Sequence, residues 1–220
     1  MTNELLLEIG TEEIPSVYLN PAFSKIEELS KKFFAEGRIS FSQVKVFGTP
    51  RRLVLLVKDL SERQEGIVSK VIGPPKKVAF DDKGIPTKAA VGFAKNHGIA
   101  VEDLKIEKTE KGEYLCAVKE DKGEETKKIL PALLNKLILA IPFPKYMKWG
   151  EGSVKFVRPV HWILCLYDGS VVNLELDGVR SGNKSYGHRF LNPKSFTVKD
   201  FTSYSRKAKA HFVIFNQAER

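Results

Sequence analysis

Three kinds of side chain in this sequence could do chemistry. The first is the carboxylate pair in Thr11-Glu12-Glu13. Acid–base catalysis needs convergent carboxylates, and neighbouring strand residues face opposite ways, so this pair reads as a polar turn or helix entry. The second is the set of four histidines and two cysteines. His97, His161, His188 and His211 are too scattered for a linear zinc motif, and no Cys-x-x-Cys occurs. Cys116 and Cys165 stand in apolar, strand-like runs and read as buried free thiols. The third is a set of cations beside aromatic or glycine residues. These are Arg51-Arg52, Lys145 and Lys148 with Trp149, and Lys184, His188 and Arg189. No Walker-type phosphate loop, dinucleotide fingerprint or Gly-x-Ser-x-Gly elbow is present. On its own residues the chain does not read as a complete catalyst.

The cations fit the backbone of a polyanion. Arg51 and Arg52 follow Pro50 at a strand entry, where their side chains diverge. One can face a nucleic acid while the other pairs with a carboxylate. Lys145, Lys148 and Trp149 suit backbone clamping with stacking, although a tryptophan there reads first as core. Arg158 and His161 flank Pro159 at the start of an apolar strand and read as structural polar contacts. The stretch from Gly182 to Arg189 is glycine-bracketed, polar and basic, and reads as an exposed loop presenting Lys184, His188 and Arg189.

The chain has 220 residues and a formal net charge of +9. Residues 1–30 carry −5, residues 31–80 carry +7, residues 81–140 are neutral, and residues 141–220 carry +7. Two basic blocks thus flank a neutral middle, a distribution that attracts polyanions. The composition excludes a disordered tail, a collagen-like chain and a disulfide scaffold. No apolar run reaches the roughly 18 residues of a membrane span. An acidic start, Met1-Thr-Asn-Glu4, is unlike a signal peptide. The expectation is a soluble, cytoplasmic protein.

The positioning elements follow from periodicity and punctuation. Leu5, Leu7 and Ile9 alternate along a first strand. Asn20-Pro21 predicts a helix start, Ala22, Ile26, Leu29 and Phe33 its buried face, and Gly37 its end. Strands at 44–47 and 53–57 flank Gly48-Thr-Pro50. Gly73-Pro-Pro75 and Asp81-Asp-Lys-Gly84 read as loops. A helix is predicted over 86–96, a strand over 113–119 and a helix over 125–140 that must carry Pro131 in its first turns. Asp168-Gly169 predicts a tight hairpin between strands at 160–167 and 171–176. Residues 200–210 read as a helix and 211–215 as a strand. Asn216 reads as the cap of a helix running past Arg220, which implies a piece of a longer chain. The expected class is α+β, with mixed or antiparallel sheets and packed helices. It divides into a small α+β unit at 1–65 and a larger α/β region at 66–220.

Three segments go further. They are Glu4-Leu-Leu-Leu-Glu-Ile-Gly-Thr-Glu-Glu-Ile-Pro15, Gly48-Thr-Pro-Arg-Arg-Leu-Val54, and a third in pieces: Pro144-Lys-Tyr-Met-Lys-Trp-Gly150, Phe156-Val-Arg-Pro-Val-His-Trp162 and Ser185-Tyr-Gly-His-Arg-Phe-Leu191. Together, and in order, they resemble the N-terminal part of the β subunits of bacterial heterotetrameric glycyl-tRNA synthetases. Gly73-Pro-Pro75 and Pro86–Ala94 fit the same family.

The resemblance implies an α2β2 ligase that joins glycine to tRNA using ATP. The α subunit carries the class II site and uses the ATP, so no cofactor, metal or catalytic residue is expected in this chain. The β subunit handles tRNA, with its anticodon-binding region near the C-terminus. The larger region is expected to be similar to the B3/B4-type module of phenylalanyl-tRNA synthetase β chains. The implied partners are the α subunit and tRNA, with no membrane. Arg51, Arg52, Lys145, Lys148, Lys184, His188 and Arg189 are the candidate contacts. Two other readings stay open: a hydrolytic editing module, since B3/B4-type modules edit mischarged tRNA, and a purely structural interface module.

Overall fold

In a computed structural model, Leu5–Thr11 forms a strand (β1) buried along its whole length. The structure describes residues 3–81, 83–110, 112–149, 152 and 154–220. Asp82 and Gly150, which belong to two of the segments above, and Met1-Thr2 lie outside these. The chain divides into two compact units, one of residues 1–65 with 124–220 and one of residues 66–123. The break expected after residue 65 is therefore the start of an insert. Residues 124–220 return to the first unit.

In the first unit, β1 is followed by helix α1 (Ser16–Glu36) and strands β2 (Gln43–Thr49) and β3 (Arg52–Lys58). The insert holds β4 (Ile67–Pro75), α2 (Lys76–Ala79), α3 (Lys88–His97), β5 (Lys105–Thr109) and β6 (Gly112–Asp121). The first unit then resumes with α4 (Thr126–Ala140), β7 (Val160–Tyr167), β8 (Ser170–Val171), β9 (Glu175–Leu176), β10 (Val179–Gly182), β11 (Lys184–Tyr186), β12 (Ser195–Thr197) and α5 (Phe201–Ala210).

The main sheet runs β2-β3-β1-β7-β10-β9, with β8 on β7. Its pairs are antiparallel except β7 with β10. Both faces are covered, which is why β1, β3 and β7 are nearly continuous apolar runs. Leu5, Leu7, Ile9, Leu53, Leu55, Ile163 and Cys165 meet α1 and α4 in one core. Leu6, Val54, Leu164 and Leu166 meet Tyr204, Ala208, Val213 and Phe215 in a second. Burial of these apolar side chains, at roughly 1.5–3 kcal/mol for each large one, is the main force holding these layers.

Local chemistry explains much of this. α4 buries Leu130, Leu133, Leu134, Leu137 and Ile138, as its periodicity predicts. Asp168 and Gly169 have φ of 48° and 70°, the left-handed pair of a two-residue hairpin turn. Asp200 caps α5, accepting from the Ser203 amide. Both cysteines are buried and free.

Several expectations are corrected. α1 starts at Ser16, so Pro21 lies in its second turn; the lost hydrogen bond frees the carbonyl of Val17, an exposed residue where water can replace it. Gly73-Pro-Pro75 ends strand β4, tolerable because β4 is an edge of the sheet β4-β6-β5. Within 171–176 only Val171, the end of β8, and Glu175–Leu176 are strand. Residues 211–215 form no strand: Phe212 has φ of 58°, and Val213 and Phe215 are buried without ladder pairing. Gly182–Arg189 is no free loop, because Gly182 ends β10 and Lys184–Tyr186 pairs with β12.

In the insert, α2 and α3 cover one face of the three-stranded sheet around Ala79, Ala90 and Leu115. Thr87 caps α3, and Gly98, with φ of 64°, ends it.

Candidate functional site

Four of the segments singled out in the sequence, residues 4–15, 48–54, 156–162 and 185–191, meet at one end of the main sheet, where β1 ends and β2 turns into β3. Their backbones are stitched together. The carbonyls of Arg51 and Pro50 accept from the amides of Thr11 and Ile14, at 2.9 and 2.7 Å. The Pro159 carbonyl accepts from the Glu12 amide at 3.0 Å. Arg158 Nε donates to the Glu13 carbonyl at 2.8 Å.

Two glycines allow this close approach. A Cβ on Gly10 would overlap the Trp162 ring, and one on Gly48 would overlap the Arg52 carbonyl and the Phe23 ring.

Glu12 and Glu13 organise the polar side of this end. Glu12 Oε1 lies 3.0 Å from His161 Nε2, and Glu12 Oε2 accepts from Arg189 Nη1 at 3.4 Å. Glu13 is 3.9 Å from the same Arg189 atom. The pair is thus a polar turn that anchors cations.

The two adjacent arginines diverge. Arg52 is buried and donates to Glu8 Oε1 at 3.2 Å, and its guanidinium sits 5.6 Å from the Trp162 ring. Tyr204 also donates to Glu8 Oε1, at 3.0 Å. Burial first, and then the Glu8 carboxylate, hold the Tyr204 hydroxyl well above the ordinary tyrosine range. Arg52 is therefore a structural residue with no exposed surface to offer a partner. Arg51 is half-buried at the tip of the turn, and among the described residues its Nε has no hydrogen-bond partner. The same holds for Arg52 Nε and Trp162 Nε1.

A cavity of about 420 Å³ opens here, lined by Arg51, Arg52, His188, Arg189, Phe190 and Phe212 among others. A second, of about 360 Å³, shares Arg51, Gly187 and Arg189 and adds His161, Trp162 and Tyr186. His188 is exposed, and its Nδ1 accepts from the amides of Phe190 and Leu191. Lys184 is exposed on β11 and lines a third cavity beside Trp162. Lys145 and Lys148 are exposed after α4 and line none of these three cavities. Trp149 is half-buried against the first core. Sequence reasoning missed Phe190 and Phe212, which are 79% and 57% exposed. An apolar side chain by itself gives no sign of a binding surface, and only their position beside arginines marks them.

A mixed α+β domain with an arginine-lined, aromatic-rimmed sheet end, carrying an inserted unit, is thus what the fold and the site define. The family model described as glycyl-tRNA synthetase beta subunit matches residues 5–220, and the chain belongs to that family. It is 44% identical over all its 220 residues to the glycine–tRNA ligase beta subunit of Syntrophus aciditrophicus, covering 32% of that protein. It is 48% identical over 97% of its length to the beta subunit of Citrifermentans bemidjiense, covering 31%, and 46% identical over its whole length to that of Syntrophotalea carbinolica, covering 32%. The chain thus spans about a third of the length of these relatives and corresponds to their N-terminal part. No helix among the described residues is long and apolar enough to cross a membrane.

Proposed function

We propose that this chain is the tRNA-handling and assembly segment at the N-terminal end of a glycine–tRNA ligase β subunit. The whole enzyme, a cytoplasmic heterotetramer with an α subunit, joins glycine to its tRNA using ATP. The α subunit supplies the aminoacylation chemistry, and this segment supplies surface.

The observation that carries the reading is the sheet end itself. Segments more than a hundred residues apart converge there to present Arg51, His188 and Arg189 beside exposed aromatic rings. Arginines on rigid elements suit phosphate contacts to an RNA body recognised by shape, and exposed rings suit unpaired bases. Arg52 leaves the list of contacts, since its charge is spent on Glu8. Lys145, Lys148 and Lys184 remain exposed candidates on neighbouring segments.

The test is a tRNA titration of the intact enzyme at several salt concentrations, with Arg51→Ala and Arg189→Ala variants. Affinity should fall in both, with a shallower salt dependence, while glycine-dependent ATP–pyrophosphate exchange stays at its original rate. Unchanged tRNA affinity and unchanged salt dependence in both variants would turn the reading toward a purely structural interface module.

A further inference from the structure

Resting on that reading, we propose that the 420 Å³ cavity at the sheet end receives one unpaired nucleotide of an RNA strand. Its phosphate lies against Arg51, and its base against Phe190 and Phe212.

Four observations converge on this. The first is unspent cationic charge. Arg52 is paired with Glu8, and Arg189 with Glu12 and Glu13, but Arg51 has no carboxylate at ion-pair distance among the described residues. The second is an unspent donor. Among the described residues Arg51 Nε is shut off from water without a partner, and Arg51 lines this cavity. Buried N–H groups of this kind call for an acceptor, and a phosphate or base carbonyl is an acceptor. The third is the rim. Phe190 and Phe212 are mostly exposed at a cavity otherwise rich in cations, and the Arg189 guanidinium lies 5.6 Å from the Phe190 ring. An isolated exposed ring is ordinary, but two at one arginine-lined cavity offer a base the faces it needs. The fourth is size, since the volume lies within the roughly 300–1,000 Å³ of small-ligand sites. A paired base could not use the rings, because its faces are already stacked in the helix. The ligand is therefore single-stranded.

The experiment uses the full-length β subunit assembled with its α partner. Three probes are titrated: a fluorescein-labelled single-stranded tetraribonucleotide, a blunt RNA hairpin and free AMP. The wild type should bind the tetranucleotide much more tightly than AMP. Phe190→Ala with Phe212→Ala should weaken tetranucleotide binding at least about fivefold per ring and leave the hairpin nearly unaffected. Arg51→Gln, which keeps a polar side chain and removes the charge, should weaken it and lower the log–log salt slope by roughly 0.7, one single-strand phosphate. This second variant keeps the test valid should the double ring change disturb folding. Tetranucleotide affinity unchanged by Arg51→Gln and by the folded ring variant overturns the proposal. If tRNA affinity still falls in Arg51→Gln, the tRNA-handling reading survives without the nucleotide site; if tRNA affinity is unchanged too, both fall. AMP binding as tight as the tetranucleotide overturns the RNA assignment in favour of a free nucleotide.

Discussion

Arg52 Nη1 lies 3.2 Å from Glu8 Oε1, and both side chains are closed off from water between the sheet and α5. Arg51, its neighbour, has no such partner among the described residues. Two adjacent arginines in one turn thus have opposite roles: one holds the fold, and the other is available to a ligand. The expected outcome is a sharp asymmetry in thermal melting. Arg52→Ala strands the Glu8 carboxylate in an apolar layer and should cost about 3–5 kcal/mol. Arg51→Ala should cost under about 1 kcal/mol. Similar losses in both would contradict the division of labour.

Arg189 bonds to Glu12 from a half-exposed position, and the carboxylate is likewise open to water. Such a pair contributes about 0–1 kcal/mol. Replacing Lys184 and Arg189 together with Ala should leave the melting midpoint nearly unchanged and the loss smaller still in high salt. A loss of several kcal/mol would show that Arg189 is structural and would remove it from the candidate contacts.

Gly10 sits against the Trp162 indole with no room for a methyl group. Gly10→Ala must push the ring away, and the ring also faces the Arg52 guanidinium. We expect a loss of about 1–3 kcal/mol in chemical denaturation, together with weaker tRNA binding by the intact enzyme. Full stability with an unmoved tryptophan fluorescence maximum would show that the sheet end yields more easily than its contacts indicate.

Gly169, at φ of 70°, meets nothing closer than the Lys199 carbonyl at 3.5 Å. The cost of Gly169→Ala is therefore conformational, about 1–2 kcal/mol, and Gly169→Asn should recover part of it. Melting curves of the two variants check this ordering.

Alkaline pH should destabilise the protein. Burial pushes up the thiols of Cys165 and Cys116 and the hydroxyls of Tyr204 and Tyr167. Each group keeps its proton in the native state where the unfolded chain releases it. The native state therefore binds more protons, and stability falls as pH rises. The loss begins as pH passes the ordinary thiol value near about 8.5 and steepens past about 10, where unfolded tyrosines ionise. Urea midpoints between pH 8 and 11 measure it, and Tyr204→Phe should give a shallower slope above pH 10. A flat profile would contradict the buried, protonated state of these groups.

The sequence by itself determined what short-range chemistry controls. The spacing of Leu130, Leu133, Leu134, Leu137 and Ile138 sets a helix and its buried face, because 3.6 residues per turn returns them to one side. Asp168-Gly169 sets a hairpin, because few other pairs accept two positive φ values in succession. Thr87 and Gly98 bracket a helix through a side-chain cap and a left-handed stop. The family segments were legible too, as residues in order. Tertiary structure alone decided what those residues do for one another. Which of Arg51 and Arg52 turns inward depends on Glu8 and Tyr204, the latter lying more than 150 residues away. The return of residues 124–220 to the first unit depends on β7 pairing with β1, a contact with no local signal. The stretch 211–215 alternates like a strand, yet Phe212 turns the chain and the buried residues serve a core without joining a ladder. Periodicity reports burial, which one segment can satisfy in several conformations. Partner choice is a competition among distant segments, and only the assembled layers settle it.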